Sequence, residues 1–110
     1  MPRPNGEILP GTLEMLILRT LTLDRMHGYA IAQHIGRTSR DALKVEKRSL
    51  YPALERLLRN GWATAKWGKT PTGRNARYYT ITASGRRVLG EEISAFQDMY
   101  AAIARVLETS

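Results

Sequence analysis

The chain has 110 residues, enough for one domain with a modest core. No run approaches the ~18 apolar residues that a membrane span needs, and the lack of cysteine excludes a disulfide framework and thiolate chemistry. The formal net charge is +7, and it is concentrated: Arg37 to Arg87 holds 13 Lys/Arg against 3 Asp/Glu, while the rest is mildly acidic. A basic middle between acidic ends is the electrostatic footprint of a polyanion-binding surface. The bland alternative is a solvated basic face.

Met1 to Pro10 is rich in Pro and Gly and is expected to be loose. It lacks the charged-then-apolar pattern of a signal peptide, so the expected location is cytoplasmic. A first helix is expected over about residues 12–23, with Thr12 as N-cap and Glu14 in the first turn, where the helix dipole favours it. Leu13, Met15, Leu16, Ile17, Leu18, Leu21 and Leu23 surround most of it, which marks a buried helix. Asp24-Arg25-Met26 connects to a second helix over about 28–38. Its core side is expected to hold Tyr29, Ile31, Ala32 and Ile35. The polar stretch Thr38 to Lys47 follows, with a short strand expected at Val45.

Ser49 is the expected N-cap of a third helix, with Pro52 as its third residue. Leu50, Ala53, Leu54, Leu57 and Leu58 share one helical face. Tyr51, Pro52, Glu55, Arg56 and Arg59 share the other. Asn60-Gly61 reads as the C-terminal stop. Trp62 to Trp67 and Arg77 to Ile81 read as the two strands of a hairpin, joined by a basic loop from Gly68 to Ala76. Thr82 or Ser84 then caps a last helix that runs to about Leu107. Leu89, Ile93, Phe96, Tyr100, Ile103 and Leu107 follow each other in steps of four and three, beside a second stripe from Val88 to Val106. At 1.5 Å per residue this helix is roughly 37 Å long, so its far half exposes apolar surface unless another chain covers it.

Helix, helix, helix, strand, basic loop, strand, helix is the order of a winged helix-turn-helix, mainly α with a small β-hairpin (α+β). Residues 1–82 are expected to form the DNA-binding domain and 83–110 the C-terminal dimerisation helix. The second helix of such a pair enters the major groove of duplex DNA, N-terminal end first. Lys47, Arg48 and Ser49 lie where the N–H groups and dipole of helix 3 suit a phosphate. Tyr51, Pro52, Arg56 and Arg59 lie on its outer face; Tyr51 and Arg56 are the favoured candidates for base edges, because an arginine can reach guanine O6/N7 bidentately. Glu55 can accept from cytosine N4, but an ion pair with Arg59 four residues on is the favoured expectation. In the wing tip, Lys69, Arg74, Asn75 and Arg77 can follow the backbone or enter the minor groove.

Other chemistries find little support. His27 and His34 have no metal-binding companions, and His27 fits a helix start better. No phosphate-binding loop pattern is present. No catalytic residue, metal or cofactor is expected. A winged-helix protein-interaction module remains the alternative, although it needs no basic recognition surface. RNA binding usually wants exposed aromatic rings, and only Tyr51 clearly offers one. The last helix carries Glu91, Glu92, Asp98 and Glu108, which disfavours a membrane surface.

The run Ser49-Leu50-Tyr51-Pro52-Ala53-Leu54-Glu55-Arg56-Leu57 resembles the PadR family of transcriptional regulators. Leu16-Ile17-Leu18, His27-Gly28-Tyr29-Ala30-Ile31, Asn60-Gly61-Trp62, Arg77-Tyr78-Tyr79-Thr80-Ile81-Thr82 and Ala83-Ser84-Gly85 support it in the same order. The resemblance covers about Leu9 to Leu107. It implies a homodimeric repressor on a palindromic operator in double-stranded DNA, released by a small-molecule effector at the dimer interface. The single last helix looks like that of the short subfamily. Multidrug-responsive members carry a tryptophan on that helix; this chain has Phe96 and Tyr100 there.

Overall fold

Leu13, Ile17, Leu18 and Leu21 make α1 (Thr12–Leu21) the central rod of the body, and all four are buried. The computed structural model describes residues 11–109, so the expectation for Met1 to Pro10 lies outside the described residues. Thr12 is not the cap of α1. Gly11 holds that position at φ 87°, a left-handed backbone that suits glycine. The helix ends two residues before the expected limit, and Leu23 is exposed in the turn that follows.

A two-residue strand, β1 (Met26–His27), precedes α2 (Gly28–Thr38). No sequence pattern announced it, because two residues are too short to alternate. His27 caps α2 with its own side chain: Nδ1 accepts from the Ala30 N–H at 3.3 Å. The buried stripe of α2 is Gly28, Ile31 and Ile35, spaced three and four apart. Tyr29 lies off that stripe. It was expected in the core and is instead 64% exposed.

The linker after α2 turns through Arg40 and Asp41, both at positive φ. The Ser39 hydroxyl donates to the Gly36 carbonyl and accepts from the Leu43 N–H, each at 3.1 Å. Val45 packs half-buried on the core but forms no strand. Next, α3 (Lys47–Arg59) starts two residues earlier than Ser49. Glu46 takes the cap position, and its carbonyl accepts from the N–H groups of Ser49 and Leu50 at 3.0 and 2.8 Å. Ser49 is therefore a first-turn residue, and Pro52 lies inside the helix. The helix closes as expected. The Gly61 N–H reaches the Leu58 carbonyl and the Trp62 N–H reaches that of Leu57, with Gly61 at φ 74°.

The hairpin of β2 (Ala63–Lys69) and β3 (Asn75–Ile81) is longer than its sequence suggested. Trp62 stays outside it, and the loop shrinks to residues 70–74. Tyr78 explains the extension. Its ring covers Gly68, where a Cβ would lie 3.1 Å from the ring, and its hydroxyl donates to the Lys69 carbonyl at 2.9 Å. All pairings are antiparallel, in the order β1-β3-β2.

The last helix, α4 (Ala83–Glu108), is capped by Thr82, whose hydroxyl oxygen accepts from the Gly85 N–H at 3.0 Å. That hydroxyl also donates to the Gly61 carbonyl at 2.7 Å, and the Thr82 N–H reaches the Trp62 carbonyl at 3.1 Å. Gly85 permits this joint: a Cβ there would lie 2.1 Å from the Trp62 carbonyl oxygen. Leu89 is buried in the core, and Val88 and Ile93 pack half-buried against it. Beyond Ile93 the helix leaves the body.

Gly85→Ala therefore forces backbone apart at the root of α4. It is expected to cost about 1–3 kcal/mol or more, as overpacking does. Urea denaturation monitored by circular dichroism measures the loss.

Candidate nucleic-acid interface

The inner face of α3 is fixed by burial of Leu50, Ala53, Leu54 and Leu57. Helical geometry then turns Tyr51, Pro52, Glu55 and Arg59 outward, and all four are exposed. Lys47 and Arg48 are exposed in the first turn, while Ser49 is half-buried. The Arg48 Nε donates to the Glu46 carboxylate at 2.9 Å, so one acid sits among the cations at this helix start.

Arg56 is held from α1. Its Nη2 donates to Oε1 of Glu14 at 2.9 Å, and its Nε to Oε2 at 3.4 Å. The hydrogen bond to Glu14 raises the Arg56 pKa above its ordinary value, against a smaller opposing effect of burial. Two of the five N–H donors of the guanidinium are used in this way. Its Nη1 end remains turned away from Glu14. The dipole role expected for Glu14 is thus joined by an ion pair across 42 residues.

The hairpin faces α3 across an open groove. His27, Tyr29, Gln33, Tyr51, Glu55, Trp67, Arg74, Asn75, Arg77 and Tyr79 contribute to its lining. Arg77, on β3, reaches Glu55, on α3: Nη1 to Oε1 is 3.2 Å. Glu55 therefore pairs with the wing, and the expected pair with Arg59 is not the one formed. Arg77 also lies over the Tyr79 ring at 5.9 Å. Burial pushes the Tyr79 phenol above its usual pKa, with the nearby Arg77 charge opposing. Among the described residues, Lys47, Arg59, Lys66, Lys69 and Arg74 make no ion pair. Lys69 and Asn75 face each other at the ends of the strands, and Arg74 is exposed beside them.

Three exposed rings on this groove were not foreseen as a set: Tyr29, Tyr51 and Trp67, with Trp67 74% exposed. The signal for Trp67 lay in strand alternation. Ala63, Ala65 and Trp67 share a face, and burial along it fades from Ala63 outward. His27 stacks with Tyr29 and meets Tyr78 edge-on, with ring centres 6.5 and 5.3 Å apart.

The expected dimerisation residues divide. Leu89 and Ile93 are committed to the body of their own chain. Phe96, Tyr100, Ile103 and Leu107 are exposed, together with Met99 and Val106. No helix among the described residues is long and apolar enough to cross a membrane.

A tri-helical body, a three-stranded sheet with a basic wing, and an exposed polar face on α3 define a winged helix-turn-helix regulator. The family model described as the transcriptional regulator PadR-like family matches residues 17–91, well over half of the chain. The chain belongs to this family and is a DNA-binding transcriptional regulator. The crystal structure of a PadR family transcriptional regulator from Eggerthella lenta is similar, at a TM-score of 0.79 and 29% identity, covering 91% of this chain and 85% of that one. A transcriptional regulator from Clostridium thermocellum shares the fold at a TM-score of 0.79 and 23% identity, over 86% of this chain and 92% of that one. An uncharacterised protein of Lysinibacillus sphaericus is 27% identical over 94 residues, 86% of each chain.

Trp67→Phe is expected to leave stability within about 0.5 kcal/mol, as exposed substitutions usually do. It should also remove most of the acrylamide-quenchable tryptophan fluorescence, since Trp62 is half-buried. Parallel melting and quenching measurements check both outcomes.

Proposed function

We propose that the protein is a homodimeric repressor that binds a palindromic operator and is released by a small-molecule effector. The observation that carries this reading is the pairing, on one short chain, of an exposed basic reading surface with an exposed apolar helix. Two chains pair through the outer half of α4, along Phe96, Tyr100, Ile103 and Leu107, with Leu89 and Ile93 rooting the seam in each body. Two copies of α3 then sit about one DNA turn, ~34 Å, apart. Repression follows from exclusion of the polymerase.

In this reading the first turn of α3, with Lys47, Arg48 and Ser49, meets a phosphate. Tyr51, Pro52, Arg56 and Arg59 face the base edges, and Lys69, Arg74, Asn75 and Arg77 follow the neighbouring backbone. Glu14 supports the Arg56 role: it holds the Nε side of the guanidinium and leaves the Nη1 end for guanine O6/N7. Residues 1–82 carry DNA binding and 83–110 carry pairing. An effector at the seam acts by changing the angle between the two α3 copies, since α4 is fastened to the end of α3 through Thr82 and Gly61.

Two arginines separate reading from anchoring. Arg56→Ala should lower operator affinity by ~1–3 kcal/mol and relax the preference at its base position. Arg74→Ala should weaken binding to all duplexes alike and flatten the salt dependence by about one unit of slope. Anisotropy titrations on a duplex selected from a random pool, and on a scrambled duplex, decide. Equal loss of specificity in both variants contradicts the assignment.

Ile103→Asp is expected to halve the mass seen by light scattering while the circular dichroism spectrum is kept. An unchanged mass removes the α4 seam. Ile103 is the better probe than Ile93, which packs on its own core.

A further inference from the structure

The ion pair between Glu55 and Arg77 bridges the groove between α3 and the wing. One partner lies at the centre of the outward face of α3 and the other on β3, 22 residues away, at 3.2 Å. Both side chains remain solvent-accessible, at 59% and 40%. When α3 enters a major groove, the strand that separates it from the next minor groove runs between helix and wing. Glu55 is thus a carboxylate facing the path of a phosphate backbone. Arg77 is a cation on the wing side of the same groove, and it is already occupied.

From this geometry we propose that Glu55 is a specificity filter, acting by withholding Arg77 from DNA that lacks the right base. The inference rests on the DNA-binding reading above. On a non-cognate duplex, freeing Arg77 for a phosphate leaves the Glu55 carboxylate without a donor, in front of base edges and backbone that are rich in acceptors. That is unfavourable, so the pair stays closed and one cation is missing from the contact. On the cognate site a cytosine N4 amine in the major groove donates to Glu55. Arg77 then exchanges its carboxylate for a phosphate, and no charged group loses a partner. The discrimination comes from a repulsive element in the wrong complex as much as from an attractive one in the right complex.

The alternative function for the pair is purely structural: it would hold the wing at a fixed distance from α3. The two roles predict opposite signs for the same substitution. Glu55→Gln keeps the shape, removes the charge and frees Arg77. The filter predicts tighter binding to a scrambled duplex, by about eightfold at 0.1 M salt, with the log–log salt slope steeper by ~0.9, the value of one more neutralised phosphate. The ratio of operator to scrambled affinity falls. Arg77→Ala alone should lower the affinity for both duplexes: the operator complex loses the phosphate contact, and on scrambled DNA the Glu55 carboxylate is left without its donor. In the Glu55→Gln, Arg77→Ala double variant the gain on scrambled DNA should disappear.

The experiment is anisotropy titration of the full chain and these three variants on an operator selected from a random pool and on its scrambled counterpart, across a salt series. A Glu55→Gln variant that binds both duplexes more weakly shows the structural role and overturns the proposal. A gain that persists in the double variant also overturns it, because the effect then bypasses Arg77. Failure of the wild-type chain to bind any duplex removes the DNA-binding reading itself, an outcome distinct from both. Circular dichroism of each variant verifies that the exposed substitutions leave the fold intact.

Discussion

The position of every functional surface depends on one joint, where the turn after α3 is fastened to the start of α4. Its elements are few. The Thr82 hydroxyl donates to the Gly61 carbonyl and accepts from the Gly85 N–H, and the Thr82 N–H reaches the Trp62 carbonyl. Gly85 contributes by having no side chain, because backbone occupies the place of its Cβ. Gly61 ends α3, Ala63 begins the first wing strand, and Thr82 follows the second. One threonine therefore ties the end of α3 to both strands of the wing and to the root of α4. Hydrogen bonds of this kind contribute about 0.5–1.5 kcal/mol each. Their larger effect is geometric: rotation of α4 relative to α3 must break several together.

Charge is arranged on the same principle of orientation. An ion pair as exposed as Glu55–Arg77 contributes about 0–1 kcal/mol, so it is a poor source of stability; Glu14–Arg56 is part-buried and better shielded. Both pairs are effective at restricting where two long, flexible cations point. Each joins elements far apart in the chain, α1 to α3 and α3 to β3. A basic surface that binds a polyanion gains from attraction but loses discrimination, because phosphates are everywhere along DNA. Acids placed against selected arginines restore some of it. The cations at Lys47, Lys69 and Arg74 have no such restraint among the described residues, and they suit contacts that carry no sequence information.

Much of this was legible in the sequence. The leucine face of α3, the Asn60-Gly61 stop, the wing and the long last helix each follow from periodicity or turn chemistry acting over four or more residues. The outward, exposed positions of α3 followed from the same periodicity. What escaped was set by contacts between distant segments. The strand at Met26–His27 exists because β3 has a free edge beside it, and two residues carry no pattern of their own. Tyr29 was placed in the core as part of the apolar side of α2, with Ile31, Ala32 and Ile35. Gly28 occupies the core position instead, under the Tyr51 ring, and leaves Tyr29 to the groove. Glu55 was assigned to Arg59 by the four-residue rule, which sees only its own helix. Arg77 on the facing strand is a competitor that no local rule includes.

The two stripes of α4 show how one periodic pattern can serve two environments. Apolar spacing is uniform from Leu89 to Leu107, yet burial is not: Leu89 is 5% exposed and Leu107 78%. The first turns of the helix complete the core of their own chain, and the last turns offer the same chemistry to solvent. Phe96 and Tyr100 stack at 6.4 Å on that outer half, which still leaves both more than two-fifths exposed. Local stacking cannot hide this surface, and a second copy of the same stripe has the spacing to do so. A helix that is core at one end and seam at the other moves the body whenever the seam shifts. In the proposed dimer, that continuity lets a ligand between two α4 helices alter the separation of two reading heads without touching DNA.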